Sequence, residues 1–423
     1  MKRLTYRLFT IILIFYFGNA LGQAQKPAYI IDKTAKARID STLKSLVDEG
    51  SIAGVSALIF EKDKEVYFNA FGYADREAKI PMKRNTIVNI FSMTKPITGV
   101  ALMKLYEKGA FQLDDPVSKY APEFANTQVY AGLDASGKPR FEAQKRAMTI
   151  RDLTRHTSGL PYDTGISSLD SLIREKNPLN SENTLTQMAE KLGSLFLFAQ
   201  PGEKWIYGVS VDVQALLVER ISGKSYDEYL KSEIFEPLGM KETRYVVPQS
   251  DFKRWAASYR KDKDGKLTRV PDEEAHAFGS KKWALNPGGH GLTSTVDDYM
   301  RFARMLVNQG TLGNATLLKP ETVKLMATDQ LDESITNRMW LPSKGQVGFG
   351  IDFAVRVRPP ASAEENNGVV GEFFWDGAAS TLFWVDPVNE LTAVLFVQIF
   401  PFDGKLHKKF RDAVYGAYRS KSN

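Results

Sequence analysis
The chain has 423 residues, 56 Lys and Arg against 50 Asp and Glu, a formal net charge of +6, and no cysteine. With 43% hydrophobic and 25% charged residues it has globular composition, which excludes disordered, collagen-like and low-complexity scaffolds. The missing cysteine excludes disulfide staples, thiolate metal sites and a cysteine nucleophile.

The elements follow in chain order. Lys2, Arg3 and Arg7 precede the apolar run Leu8 to Phe17, then small residues at Ala20 and Gly22. That is a signal-peptide pattern, so residues 1–22 are expected to be cleaved and the protein exported, periplasmic or secreted. A ten-residue apolar run falls short of the ~20 that span a bilayer, and no cysteine follows for a lipid anchor, so no stable membrane anchor is expected. Three basic charges leave with residues 1–22, so 53 basic face 50 acidic in the mature chain. A charge of +3 names no polyanionic partner, and no nucleic acid is expected. The residual patch of Lys405, His407, Lys408, Lys409 and Arg411 reads as a solvated helix face.

Ile39, Leu43, Leu46 and Val47 sit at helical spacing before Gly50. Two strand-like runs follow, Gly54–Phe60 and Glu65–Phe71, joined by Glu61-Lys62-Asp63-Lys64. Helical patterns cover Ile97–Lys108, Thr184–Leu192 and Val211–Ile221, with glycine stops at Gly109 and Gly223. Ser258–Val270 reads as a hairpin turning at Asp264-Gly265. Strands return at Thr381–Val385 and Leu391–Gln398, and Leu406, Phe410, Val414 and Ala417 mark a closing helix. A core rarely grows past ~250–300 residues, so two lobes are expected. Residues 23–90 and 285–423 form a discontinuous α/β lobe in this reading, and 91–284 a mainly helical, all-α insertion.

Several apparent motifs fail on chemistry. Gly223-Lys224-Ser225 lacks the glycine a phosphate loop needs, since Val218 stands there. Asp262, Asp264 and Gly265 suit a turn better than a calcium loop, because Arg260 and Pro271 occupy ligand positions. His156, His276, His290 and His407 are scattered without metal spacing, so no metal and no cofactor are expected. No Gly-x-Ser-x-Gly elbow occurs.

Phe91-Ser92-Met93-Thr94-Lys95 is the chemically informative segment. A Ser and a Lys three apart at a helix start share one face, and the helix N-terminus offers amides for an oxyanion. The chain resembles the serine β-lactamase/penicillin-binding-protein superfamily, in the branch similar to class C β-lactamases and family VIII carboxylesterases. Phe91–Thr98 carries the resemblance, together with Ile52–Val55, Leu113–Val117, Thr149–Leu160, Pro201-Gly202, Ile234–Met240 and Gly288–Thr295. It implies a β-lactamase-like fold, an antiparallel sheet flanked by N- and C-terminal helices with an inserted helical lobe. His156 falls in a structural phrase and receives no catalytic role.

The family's second motif, Tyr-x-Asn, matches Tyr207-Gly208-Val209, with Val209 in place of the amide. Trp205-x-Tyr207 followed by Asp212-Val213 looks like the esterase branch. The third motif aligns with Trp375-Asp376-Gly377-Ala378, where only the glycine survives. The resemblance thus implies Ser92 as nucleophile and Lys95 and Tyr207 as its partners. The backbone N–H groups of Ser92 and Ala378 form the oxyanion hole, and Val209, Trp375, Asp376 and Gly377 line the substrate pocket. Unperturbed Tyr and Lys lose protons near pH 10, so the pair titrates as a coupled unit. Tyr207 is the expected base with Lys95 its electrostatic partner, the reverse assignment staying open. Loss of the Lys/His and Thr side chains, and Asp376 if it faces the site, disfavour anionic substrates.

The resulting expectation is an exported serine hydrolase that forms an acyl-enzyme on a small acyl substrate, a carboxylesterase acting on neutral, short-chain esters. A D-alanyl carboxypeptidase, weak β-lactamase or acyltransferase is the alternative on the same fold. A catalytically silent cell-envelope binding protein is the alternative of another class.

Overall fold
The computed structural model describes residues 29–418, and the expected signal segment lies outside the described residues. Helix α1 (Lys33–Asp48) is capped by the Asp32 carboxylate, which accepts from Ala35 N, and buries Ala35, Ile39, Leu43 and Leu46. The chain then turns at Gly50, whose φ of 71° suits a residue without Cβ. Strands β1 (Gly54–Glu61) and β2 (Lys64–Asp75) form a hairpin. Lys62 and Asp63 take φ of 52° and 60°, the left-handed pair that matches strand twist in a two-residue turn. β2 runs four residues past the expected end, through Gly72, where φ is 71°.

Strand β3 (Ile80–Pro81), helix α2 (Thr94–Glu107), helix α3 (Ser210–Ser222) and helix α4 (Val296–Val307) follow. Further strands are β4 (Val347–Phe349), β5 (Ala354–Arg356), β6 (Phe373–Asp376), β7 (Leu382–Asp386) and β8 (Leu391–Phe396), before helix α5 (Gly404–Tyr415). They build one antiparallel sheet in the order β4-β5-β6-β7-β8-β1-β2-β3. This is the β-lactamase-like fold. β1 is an interior strand, between β8 and β2, and its Val55, Ala57, Leu58 and Ile59 are all buried, with α1 and α5 packed together on the sheet. A continuous buried cluster runs from Ile31 through α2 and α3 to Val414.

The hairpin at 258–270 is present as Tyr259–Lys261 paired with Leu267–Arg269, and Asp262 Oδ1 accepts from Asp264 N and Lys266 N. Gly223 is the left-handed cap of α3 at φ 70°. Strands β4, β5 and β6 escaped the periodicity reading because they are three or four residues long and buried throughout, which leaves no alternation to detect.

The basic patch at the C-terminus needs correction. His407 and Arg411 are buried, not solvated. Arg411 Nη1 and Arg356 Nε, from α5 and β5, both meet Glu372 Oε1 at 2.9 Å. His407 Nε2 lies 2.9 Å from the Ser380 carbonyl, so that nitrogen carries the proton. A helix whose polar residues face a buried acid and a carbonyl cannot be told from an exposed one by charge count.

Glu372→Ala leaves two buried guanidinium groups uncompensated. Urea denaturation should read a loss of about 3–5 kcal/mol. Burial pushes the His407 pKa down to about 4 from 6.5, with Lys344 and Arg411 adding to it and Asp376 and the Ser380 carbonyl opposing. Between pH 6.5 and 4 the unfolded chain therefore binds a proton that the folded chain refuses, and stability falls with pH by about 3 kcal/mol. His407→Gln, which keeps the donor to Ser380, should remove that component from the pH dependence of unfolding.

Candidate active site
A 3-10 turn at Phe91–Met93 runs directly into α2, so Ser92 sits at the helix N-terminus with Lys95 one turn on. Phe91 holds φ at 45°, a left-handed conformation costly for a residue with a Cβ. Neighbouring segments fix it. Ile90 N donates to Leu292 O at 3.0 Å, Tyr299 OH to Met93 O at 2.8 Å, and the Phe91 ring meets Phe400 edge-on at 5.4 Å.

Lys95 is buried, and each of its three protons has an acceptor. Its Nζ lies 3.2 Å from Ser92 Oγ, 3.2 Å from Tyr162 OH and 2.8 Å from Gly289 O. It also stands 4.7 Å from the centroid of the Tyr207 ring. Burial opposes its charge, but Tyr162, Tyr207 and Asp212 outweigh that and hold its pKa above the ordinary lysine value. Asp212, in the first turn of α3, accepts from Gly289 N at 2.9 Å. The Asp212 carboxylate is the acidic side chain among these that favours Lys95 as an ammonium. A Cβ on Gly289 would come within 2.8 Å of both Asp212 Oδ2 and Tyr162 OH, so only glycine fits there.

Burial pushes the Tyr162 pKa up, with Lys95 opposing, and the residue stays a phenol that accepts the Lys95 proton. Tyr207 lies within an aromatic wall, 5.0 Å from Trp340, 5.5 Å from Trp375 and 6.0 Å from Trp205. His156 packs behind it at 4.9 Å, and burial, reinforced by Lys95, pushes the imidazole pKa down. A neutral ring there braces the tyrosine without adding charge.

β6 packs against the Phe91–Met93 turn. A Cβ on Gly377 would strike Thr381 Oγ1 at 2.3 Å and Ile90 O at 2.6 Å, so the strand end approaches the Phe91–Met93 turn through a glycine. The following turn is closed by Gly377 N to Thr381 O and Ser380 N to Gly377 O, leaving the exposed Ala378 amide outside its hydrogen bonding. Ser92, Lys95, Tyr207, Trp375 and Gly377 thus converge. Two other expected residues behave differently. Asp376 is ion-paired with the buried Lys344, so its charge is compensated and is not offered to a substrate. Val209 is buried beside Tyr162, Leu179 and Phe196 around a separate cavity of about 170 Å³.

Tyr162, Asp212 and Trp340 were not singled out as site residues by sequence. Tyr162 lies 67 residues from Lys95, and no spacing rule links them.

The chain matches the Beta-lactamase family model over residues 39–416. It belongs to that family. It is 33% identical over 367 residues to an uncharacterized protein of Mycobacterium tuberculosis, covering 85% of this chain and 89% of that one. It is 28% identical over 404 residues to esterase EstB of Burkholderia gladioli, covering 90% and 95%. Among solved structures, EstCE1, described as a hydrolase with promiscuous acyltransferase activity, superposes with a TM-score of 0.73 at 26% identity, covering 92% of this chain and all of the other. Esterase and acyltransferase relatives thus accompany the β-lactamase fold in this family.

Removing one hydrogen bond to a charged group costs about 1.5–3 kcal/mol. Tyr162→Phe should therefore lower kcat/KM for a p-nitrophenyl ester about tenfold to a hundredfold, and unchanged turnover would mean the Tyr162 oxygen is not used.

Proposed function
We propose that the protein is an exported serine carboxylesterase that hydrolyses neutral esters through an acyl-enzyme on Ser92. The observation carrying this reading is the saturated Lys95 ammonium, which donates to Ser92 Oγ and has no lone pair with which to take its proton. Tyr207, whose ring lies against that ammonium, is the remaining base. Ser92 Oγ bonds to the ester carbonyl carbon as its proton passes to the Tyr207 phenolate oxygen. Negative charge collects on the carbonyl oxygen between the Ser92 and Ala378 amides. The carbon–alkoxy bond then breaks, and the proton returns from Tyr207 to the departing alcohol. Water repeats the sequence and frees the acid.

Neutral substrates are favoured by what surrounds the serine. Trp340, Tyr207 and Trp375 supply apolar surface, and Lys344 is committed to Asp376. An incoming carboxylate would have to displace that pair. The kinship with EstB supports ester over lactam chemistry.

The purified protein should turn over p-nitrophenyl acetate and butyrate faster than a chromogenic cephalosporin or a D-alanyl dipeptide. Ser92→Ala and Tyr207→Phe should each lose at least about a hundredfold in kcat, the lower bound for general-base catalysis. Failure of a fluorophosphonate to label Ser92 would sink the enzymatic reading, and preference for the cephalosporin would overturn the ester assignment. Export is checked separately, by N-terminal sequencing of the protein recovered outside the cytoplasm, which should begin near Gln23.

A further inference from the structure
A cavity of about 340 Å³ lies beside the Phe91–Met93 turn, and two of its wall residues, Phe91 and His290, are direct neighbours of site groups. Phe91 precedes Ser92. His290 follows Gly289, whose carbonyl holds Lys95. Phe400 follows Ile399, whose amide donates to Ala379 O at 3.1 Å, one residue beyond the Ala378 amide. The cavity is therefore bounded by the segments that carry Ser92 and the lysine acceptor, and by the 399–400 segment, which is hydrogen-bonded to the turn after Gly377.

Its size and chemistry are specific. A volume of this order lies at the lower end of the roughly 300–1,000 Å³ that pockets for drug-sized molecules occupy. A butyryl or ethyl group would leave most of it unfilled, forfeiting contacts on every open side. Two aromatic pairs line it: Phe91 against Phe400, and Phe278 against His290 at 5.6 Å. Its charges cancel, since Arg260 and Glu274 at the rim bind each other. Burial pushes the His290 pKa down, with Lys95 adding to this and Asp212 opposing, so the imidazole is neutral. Among the polar groups on the wall, the buried Ser258 Oγ has no hydrogen-bond partner.

We propose that this cavity is the specificity subsite for the larger half of the ester, an uncharged ring that carries a hydrogen-bonding oxygen for His290. The ring packs among Phe91, Phe278 and Phe400, and the ester carbonyl is thereby aimed at Ser92. The preferred substrates are then ring-bearing esters, larger than the short-chain esters expected from sequence. The proposal rests on the esterase reading of Ser92, and the test separates the two.

Ethyl butyrate, ethyl 4-hydroxyphenylacetate and 4-hydroxybenzyl acetate are compared by kcat/KM; the last two carry the ring on the acyl and the alcohol side. At least one ring ester should exceed ethyl butyrate tenfold, and the better of the two tells which half enters. Ala277→Trp, at an exposed position on the cavity wall, should lower the ring-to-linear ratio at least fivefold, and so should His290→Leu. Ring esters no better than ethyl butyrate, or a ratio that survives both substitutions, would overturn the proposal. Calorimetric binding of 4-hydroxybenzyl alcohol to Ser92→Ala provides a readout without turnover. Binding abolished by Ala277→Trp upholds the subsite even if no ester is hydrolysed; absence of binding to Ser92→Ala, with its cavity unaltered, refutes it.

Discussion
A lysine ammonium held out of water is the constraint around which this molecule is arranged. A charge removed from solvent without partners costs several kcal/mol, so every proton on Lys95 must find an acceptor. Ser92, Tyr162 and Gly289 supply them, from the start of α2, from the loop after the 149–160 phrase, and from the segment before α4. Asp212 adds the balancing negative charge from a fourth segment, α3. Packing α2 against α3 is therefore an electrostatic requirement as well as a hydrophobic one. Glycine at 289 follows from the same demand, since any side chain would wedge Asp212 away from Tyr162.

The same charge divides the roles of the site. Because Lys95 is kept protonated, it can hold an oxygen and stabilise negative charge beside it, but cannot accept a proton. The two tyrosines differ in surroundings. Tyr162 is held by the lysine, whereas Tyr207 faces an aromatic wall that opens toward the surface at Met339 and Trp340. Neutral His156 behind Tyr207 and the closed Lys344–Asp376 pair keep further net charge away from the reacting centre.

Much of this was legible in the residue order. Ser92 and Lys95 are three apart on a helix start, so their shared face follows from helix geometry alone. The periodic segments at 39–47, 97–108 and 211–221 formed as expected, because amphipathic or terminated helices carry their own signal. Tyr207, Trp375 and Gly377 came from matched phrases, and the structure sets Tyr207 beside Lys95, Trp375 beside Tyr207, and Gly377 against Ile90. The patch at 405–411 went wrong because composition cannot say which side of a helix meets the core. His407 and Arg411 face inward, where Ser380 and Glu372 receive them.

The sequence by itself determined the family, the helix that presents Ser92 and Lys95, and the loss of the polar third motif, since each is written in residues close together along the chain. Tertiary structure alone decided that Tyr162 and Asp212 complete the lysine's shell, that Asp376 is neutralised by Lys344, and that a cavity of aromatic rings adjoins the Phe91–Met93 turn. Those facts depend on distances between segments tens to hundreds of residues apart. Such distances are set by how sheet and helices pack around a common core, and no local spacing encodes them.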